Sequence, residues 1–373
     1  MTQRRKILMN PFNPAFGSRP ERFIGREDIA HEIILAVEDW NSPWRTTLIT
    51  GIRGSGKTAL LSDIEKKLSE KQVVVVSLIP GDDFLDNVLL HLYDAIPKSV
   101  IKKLPEIKSI KSVIEVTFEQ EKDDKQAISN TFQHSVVKAM TELKKCGKRV
   151  IFLIDETQKH SEELRTFVGT YQILIRQEYP VSLTMAGLPD VISDILNDSV
   201  LTFLRRAHRI TLQNVPSNLV KLDYSEAFRK GGFPLSDEQL KKAVFSTRGY
   251  PYLIQLIGYY LWIELEKNDD VDYSIDRAIS LSKNRLFINV HELIYAELSS
   301  MDREFVKAMA IDENDSYMAD IMKRLGKERN YISNYRARLL AKGLIKNVAY
   351  GKVSFGLPYM RDFIIQLNDY EDF

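Results

Sequence analysis

The sequence has one cysteine, Cys146. No disulfide can close within the chain, a cysteine-based metal site is not expected, and this usage fits a reducing cytoplasm. Long apolar runs are also missing. The longest, such as VVVV at 73–76, are strand-sized, far below the ~20 residues that a membrane-spanning helix needs. The opening MTQRRKILMNPFNP has a basic front but too few apolar residues before Asn10 and Pro11 for a secretory leader. Charge of one sign is absent in bulk, because 52 Lys and Arg face 51 Asp and Glu for a net charge of +1. Any surface suited to nucleic acid must therefore be local. No internal repeat and no low-complexity tract is found.

The 373 residues exceed one ordinary core and predict two or three domains. With 44% apolar and 28% charged residues, the composition is that of soluble globular protein. Residues 10–20, rich in proline, read as an extended lead-in. REDIAHEIILAVEDW reads as a helix, with Ile29, Ile33, Ala36, Val37 and Trp40 at helical spacing. Five short apolar runs follow: TTLIT at 46–50, QVVVVSL at 72–78, RVIFLID at 149–155, VSLTMAG at 181–187 and AHRITLQ at 207–213. Helix-like segments lie between most of them. This predicts an α/β fold with a parallel sheet covered on both faces. Residues 98–125 read as an insertion between the second and third strands. From about 217 the pattern turns helical, with NDDVDY at 268–273 as a loop. After Ser300, three short helical segments and a hairpin around Gly351 resemble a winged helix.

GIRGSGKT at 51–58 fits the spacing G-x-x-x-x-G-K-[ST] at every fixed position. Gly51, Gly54, Ser55 and Gly56 allow backbone N–H groups to converge on phosphate, and the following helix turns its positive end to them. Lys57 then reaches the outer phosphates and Thr58 ligates Mg²⁺. RVIFLIDE carries Asp155 and Glu156 to a strand end, with Asp155 suited to Mg²⁺ and Glu156 to activating a water. An acid pair there can also be a helix cap. FLRRAHRITL places Arg205, Arg206 and Arg209 near the last strand, either to neutralise a transferring phosphoryl group across a subunit boundary or as a solvated rim.

Between 323 and 352, nine Lys and Arg face only Glu328, giving a local +8. Arg329, Asn330, Tyr331, Ser333, Asn334, Arg336 and Arg338 on one helical segment, with Lys352 at the hairpin, carry groups suited to phosphates and base edges. These predict a double-stranded DNA partner. A protein partner for this module is the alternative.

Together these features resemble the AAA+ ATPases, most nearly the origin-recognition and initiator branch and related bacterial ATP-binding proteins. The residues that carry the likeness are RFIGRE at 22–27, GIRGSGKT, LIDE, FLRRA and RGYPYLIQLIG at 248–258. The resemblance implies an ATPase core at 1–215, a helical lid at 216–298 and a winged-helix DNA-binding domain at 299–373. It also implies ATP and Mg²⁺ as cofactors, Ile24 and Gly25 beside the adenine, Arg248 as a lid sensor, and a homo-oligomer when ATP is bound. Two departures stand out. The fourth strand ends MAGLPD, so Gly187 falls where the family often has a polar sensor and Thr184 is the nearest polar residue. The glycine–x–proline of RGYP is like that of signalling ATPases, which makes such a protein, with its winged helix contacting protein, the second reading.

Overall fold

The structure is a computed structural model that describes residues 9–15, 24–97, 100, 124–157, 161–199 and 201–371. Most of the 98–125 insertion, together with Arg22 and Phe23 of RFIGRE, lies outside the described residues. The chain forms two compact units. One comprises Arg26–Thr50 and Leu60–Thr211, and the other Met1–Gly25, Gly51–Ala59 and Leu212–Phe373.

The first unit is built on β1 (Thr46–Thr50), β2 (Val73–Leu78), β3 (Arg149–Ile154), β4 (Val181–Gly187) and β5 (His208–Thr211). All four pairings are parallel, in the order β2-β3-β4-β1-β5. The central strands are near-continuous apolar runs because helices cover both faces; every residue of β4 is buried. Around the sheet run α1 (Glu27–Ala36), α2 (Lys57–Ser69), α3 (Phe84–Asp94), α4 (Asp124–Lys145), α5 (Glu162–Arg176) and α6 (Pro189–Asn197). Phe84, Phe152 and Phe167 meet edge to face between sheet and helices, at ring distances of 5.0–5.3 Å. All five expected strands are present, with ends shifted by a residue or two. The first helix is shorter than its periodicity predicts. It ends at Ala36 because the Asp39 carboxylate takes the Asn41 N–H in a local turn ahead of Pro43, and Trp40 is left 41% exposed.

In the second unit, α7 (Ser217–Lys230), α8 (Asp237–Thr247), α9 (Pro251–Lys267) and α10 (Val271–Leu286) enclose an aromatic core. NDDVDY is not a loop throughout. Asp270 accepts the Tyr273 N–H as an N-cap, so Val271 onward is helix. The N-terminal segment is fastened here. Phe12 packs on Tyr224 and Phe228, in a hole left by the missing Cβ of Gly258. Asn10 donates to the Tyr259 carbonyl, and Asn13 N–H to the Gln255 side chain.

A single π-turn (Phe287–His291) leads from α10 into α11 (Glu292–Ala296). Then follow α12 (Ser300–Ala310), β6 (Ser316–Tyr317), α13 (Met318–Leu325), α14 (Arg329–Ala341), β7 (Ile345–Ala349), β8 (Lys352–Phe355) and α15 (Met360–Glu371). β6, which periodicity did not suggest, pairs with β8 to make a three-stranded antiparallel sheet. Leu253 of α9 and Tyr250 just before it share one buried core with Phe305, Ile332, Leu339, Val353 and Phe363 of this C-terminal module.

His291 is fully buried between Phe287 and Phe363. Burial lowers its pKa to about 4, against the smaller opposing effects of the Pro358 backbone and the Asp362 carboxylate. The neutral ring is thus favoured in the folded state. As pH falls from about 6.5 to about 4, the unfolded chain takes up a proton that the folded chain refuses, and about 3 kcal/mol of stability is lost. Urea unfolding across this window should show a steeper decline for wild type than for His291→Phe. Parallel curves would refute the assignment.

Candidate functional site

The β-branched β1 ends at Thr50, and GIRGSGKT follows directly to open α2. Gly54 has φ +72°, a conformation that L side chains rarely adopt. A Cβ on Gly54 would also run into the Tyr250 hydroxyl and approach Tyr252 Cβ. The Lys57 ammonium donates to the Gly51 carbonyl at 2.7 Å and the Ile52 carbonyl at 3.1 Å, so its charge is held within the curl of the loop. Ser55 is buried with its hydroxyl against Gly51.

The same unit brings the start of α9 onto this loop. Tyr250, immediately before α9, donates its phenol to the Arg53 carbonyl. Pro251 starts the helix beside Gly56, and the Arg53 guanidinium pairs with Glu297 at 2.7 Å. Val215 N–H donates to the Gly249 carbonyl and Asn214 to the Arg248 carbonyl, which fixes the RGYP turn. Ile24 packs on the lid core, and Gly25 lies against Val215 and Leu219. The Arg248 guanidinium sits 4.1 Å over the Phe245 ring and 5.8 Å from that of Tyr359, an aromatic stack that engages its cationic face.

In the sheet unit, β3 delivers Asp155 to the same C-terminal edge from which β1 exits, with β4 between them. Asp155 is nearly buried and its Oδ1 accepts the Glu156 N–H at 2.8 Å. Glu156 is exposed and has φ +48°. Thr157 holds the other side, since its N–H and hydroxyl both donate to the Ala186 carbonyl at 3.2 Å. The exposed carboxylate is thus set on a left-handed residue braced before and after. Strained backbone of this kind clusters at functional sites. Thr157 also explains Gly187: a Cβ there would strike the Thr157 hydroxyl. The buried Thr184 lies mid-strand, so Thr157 is the polar group at this strand end that sequence reading passed over. Its signal was a threonine directly after the acid pair.

Arg205 and Arg206 lie in a 3-10 turn before β5. Arg205 Nε donates to the Leu196 carbonyl and Arg209 to the Arg205 carbonyl, and Arg205, Arg206 and Arg209 are all exposed. Thr58, in the unit of the loop, offers a hydroxyl, and Asp155, in the sheet unit, offers a carboxylate; each taken by itself is a hard oxygen donor of the kind Mg²⁺ accepts.

The C-terminal basic face is smaller than its sequence count. Arg338 is paired within the module: it donates to the buried Asp302 at 2.6 Å and to Ser299 at 2.9 Å. Arg324 is bidentate on Asp312, and Lys352 pairs with Asp315 at 3.2 Å. Three carboxylates from before residue 323 therefore oppose three of the nine cations, and the +8 reading is corrected downward. Lys352 also begins β8 and is not the hairpin tip, where Tyr350 is 96% exposed. Arg336 donates to Asn347 on the hairpin, and Ser333 to the Arg329 carbonyl. Arg329, Asn330 and Asn334 are exposed, and Tyr331 packs against Tyr335 with Lys327 over its ring.

Residues 44–196 match the AAA domain family, and residues 288–364 match a domain of unknown function (DUF8462). The chain is similar to the Walker-type ATPase of Pyrococcus abyssi, with 15% identity, TM-score 0.62, and 93% of this chain and 97% of that one covered. It is similar to the Aeropyrum pernix ORC2 protein in its ADPNP–ADP complexes, with 10% identity, TM-score 0.58 and coverage of 96% and 98%. The ADP form of ORC2 gives 12%, 0.50, 95% and 97%. The sequence matches no curated protein. The fold is that of a P-loop ATPase, a parallel five-stranded sheet between helices, followed by a mainly helical C-terminal region. Among the described residues, no helix is long and apolar enough to cross a membrane.

Proposed function

We propose that the protein is an ATP-binding and ATP-hydrolysing AAA+ switch of the origin-recognition and initiator type, whose nucleotide state controls assembly on double-stranded DNA. One observation carries this reading. A phosphate loop leaves one strand of a parallel sheet, and an acid pair ends a second strand at the same edge. Lys57 and the loop amides hold the phosphates, and Thr58 and Asp155 hold Mg²⁺. The metal neutralises phosphate charge when bound. Glu156 orients a water and takes its proton. Ile24 and Gly25 border the nucleotide. Arg205 and Arg206, both exposed, are the candidates to reach a neighbouring subunit's nucleotide; Arg205 also donates to the Leu196 carbonyl. In functional terms the chain divides into an ATPase core at 1–215, a lid at 216–298 and a winged-helix module at 299–373. The order helix, strand, two helices, hairpin supports the last of these.

DNA contact falls on Lys327, Arg329, Asn330, Tyr331, Asn334 and Lys346, the exposed groups of α14 and its flanks. Changing Lys327 and Arg329 together to alanine should weaken duplex binding and reduce the salt slope by about 2, as two fewer phosphates are neutralised. Arg338→Ala should instead cost about 2–3 kcal/mol of stability, because the buried Asp302 loses its charge partner and keeps only its bonds from Ser299. Binding measured across a salt series and urea unfolding separate the two. An unchanged salt slope in the double variant would favour a signalling ATPase whose C-terminal module contacts protein. The internal pairing of Arg324, Arg338 and Lys352 already speaks for that second reading.

A further inference from the structure

We infer that Tyr250 is a positioning residue for the phosphate loop: its phenol pins the Arg53–Gly54 peptide so that the Gly54 N–H faces the nucleotide phosphates. The inference rests on the nucleotide-binding reading above and adds to it the part of the lid that shapes the loop.

The bond runs from the phenol to the Arg53 carbonyl, across 197 residues of sequence. Peptide bonds in the described chain are trans. In a trans peptide the carbonyl and the following N–H point in opposite directions. A donor fixed on the Arg53 carbonyl therefore turns the Gly54 N–H to the opposite side of the chain. Without such a donor a peptide beside a glycine is free to turn over, because glycine takes positive and negative φ about equally. Gly54, at φ +72°, is such a glycine.

Tyr250 is built to hold this bond. It is fully buried, in the core shared with Leu253, Leu256 and Phe305. Burial, with a smaller push from Tyr252, raises its pKa above that of a free phenol, so it remains a donor at every physiological pH. The turn before it is tied to the chain after β5, through the Val215 N–H and the Gly249 carbonyl at 2.7 Å. The hydroxyl also occupies the space a Gly54 side chain would need, so the loop glycine and the lid phenol are fitted to one another. A separate contact, the Arg53 side chain on exposed Glu297, reaches the loop from α11 but does not touch the peptide.

Tyr250→Phe removes the hydroxyl and keeps the buried ring. The expected result is an increase of about five- to tenfold in the dissociation constant for both ADP and MgATP, the loss of one hydrogen bond's worth of orientation. Turnover at saturating ATP should stay within about twofold, since the lost contact acts equally on ground and transition states. Arg53→Ala should leave nucleotide affinity within about twofold, because the exposed ion pair contributes little. Lys57→Ala is the control for nucleotide binding itself. If wild type binds no nucleotide, the functional reading fails. If wild type binds, Lys57→Ala does not, and Tyr250→Phe binds as wild type does or more tightly, the reading stands and the positioning role is overturned. Arg53→Ala reproducing the loss would also overturn it, by moving the restraint to the side chain. Should the phenylalanine variant fail to fold, hydrogen exchange on wild type decides. ADP should slow exchange in the 51–59 segment, Gly54 included, and an unprotected Gly54 amide refutes the orientation.

Discussion

Lys57→Ala is expected to raise the dissociation constant for ATP by about a hundredfold, the upper range for a hydrogen bond to a charged group. The ammonium is placed by two carbonyls of its own loop, those of Gly51 and Ile52. It is therefore preorganised before any phosphate arrives, and little side-chain entropy remains to be lost on binding. Alanine removes the charge and its bonds to both carbonyls, while the Ile52 carbonyl keeps the Ser55 N–H. The fold should survive, because neither carbonyl belongs to a strand pairing and the loop is closed elsewhere by Tyr250. Calorimetry on the folded variant is the measurement. Wild-type affinity there would remove the phosphate-binding assignment of the loop.

Glu156→Gln is expected to lower turnover by about a hundredfold to ten-thousandfold, the range for removing a general base. ATP affinity should stay within about twofold, because the amide has the shape of the carboxylate but cannot take a proton. The exposed side chain makes the exchange simple to interpret. No buried partner is lost, and the brace on either side is made by Asp155, by the Glu156 N–H and by Thr157, all of which the variant retains. Phosphate release measured at saturating MgATP decides the matter. Undiminished release would transfer the role of base to another group.

How legible these features were differs by the range of the interaction. The five strands could be read because each is a short β-branched run bounded by Gly, Pro or Asp, and both signals are local. The phosphate loop could be read because its chemistry depends on fixed spacing over eight residues. Trp40 was misread as helical because side-chain periodicity continued past the point where Asp39 caps a turn. Asp270 was taken as part of a loop, although the same residue type at that position starts a helix. Arg338 could not be read correctly at all. Its partner Asp302 lies 36 positions away, and only the folded module brings the two together. Tyr250 was hidden for the same reason, since a phenol before a proline looks like a core aromatic until its oxygen is located. Thr157 and Gly187 form one unit across two strands, and neither residue signals the other in sequence.

The seating of Phe12 imposes an order in time on the making of this protein. The groups that bind the segment, Gln255 and Tyr259, follow it by 242 and 249 residues. At ribosomal speeds of about 5–20 residues per second, the segment is synthesised roughly 10–50 s before its seat exists. Throughout that interval Phe12 is an apolar residue in water, and the hole over Gly258 does not yet exist. Closing such a contact also requires the ends of a very long loop to meet, which places it among the slow steps of folding. The segment around Phe12 is thus made early and among the last to settle, and a chain ended before α9 has nowhere to put it.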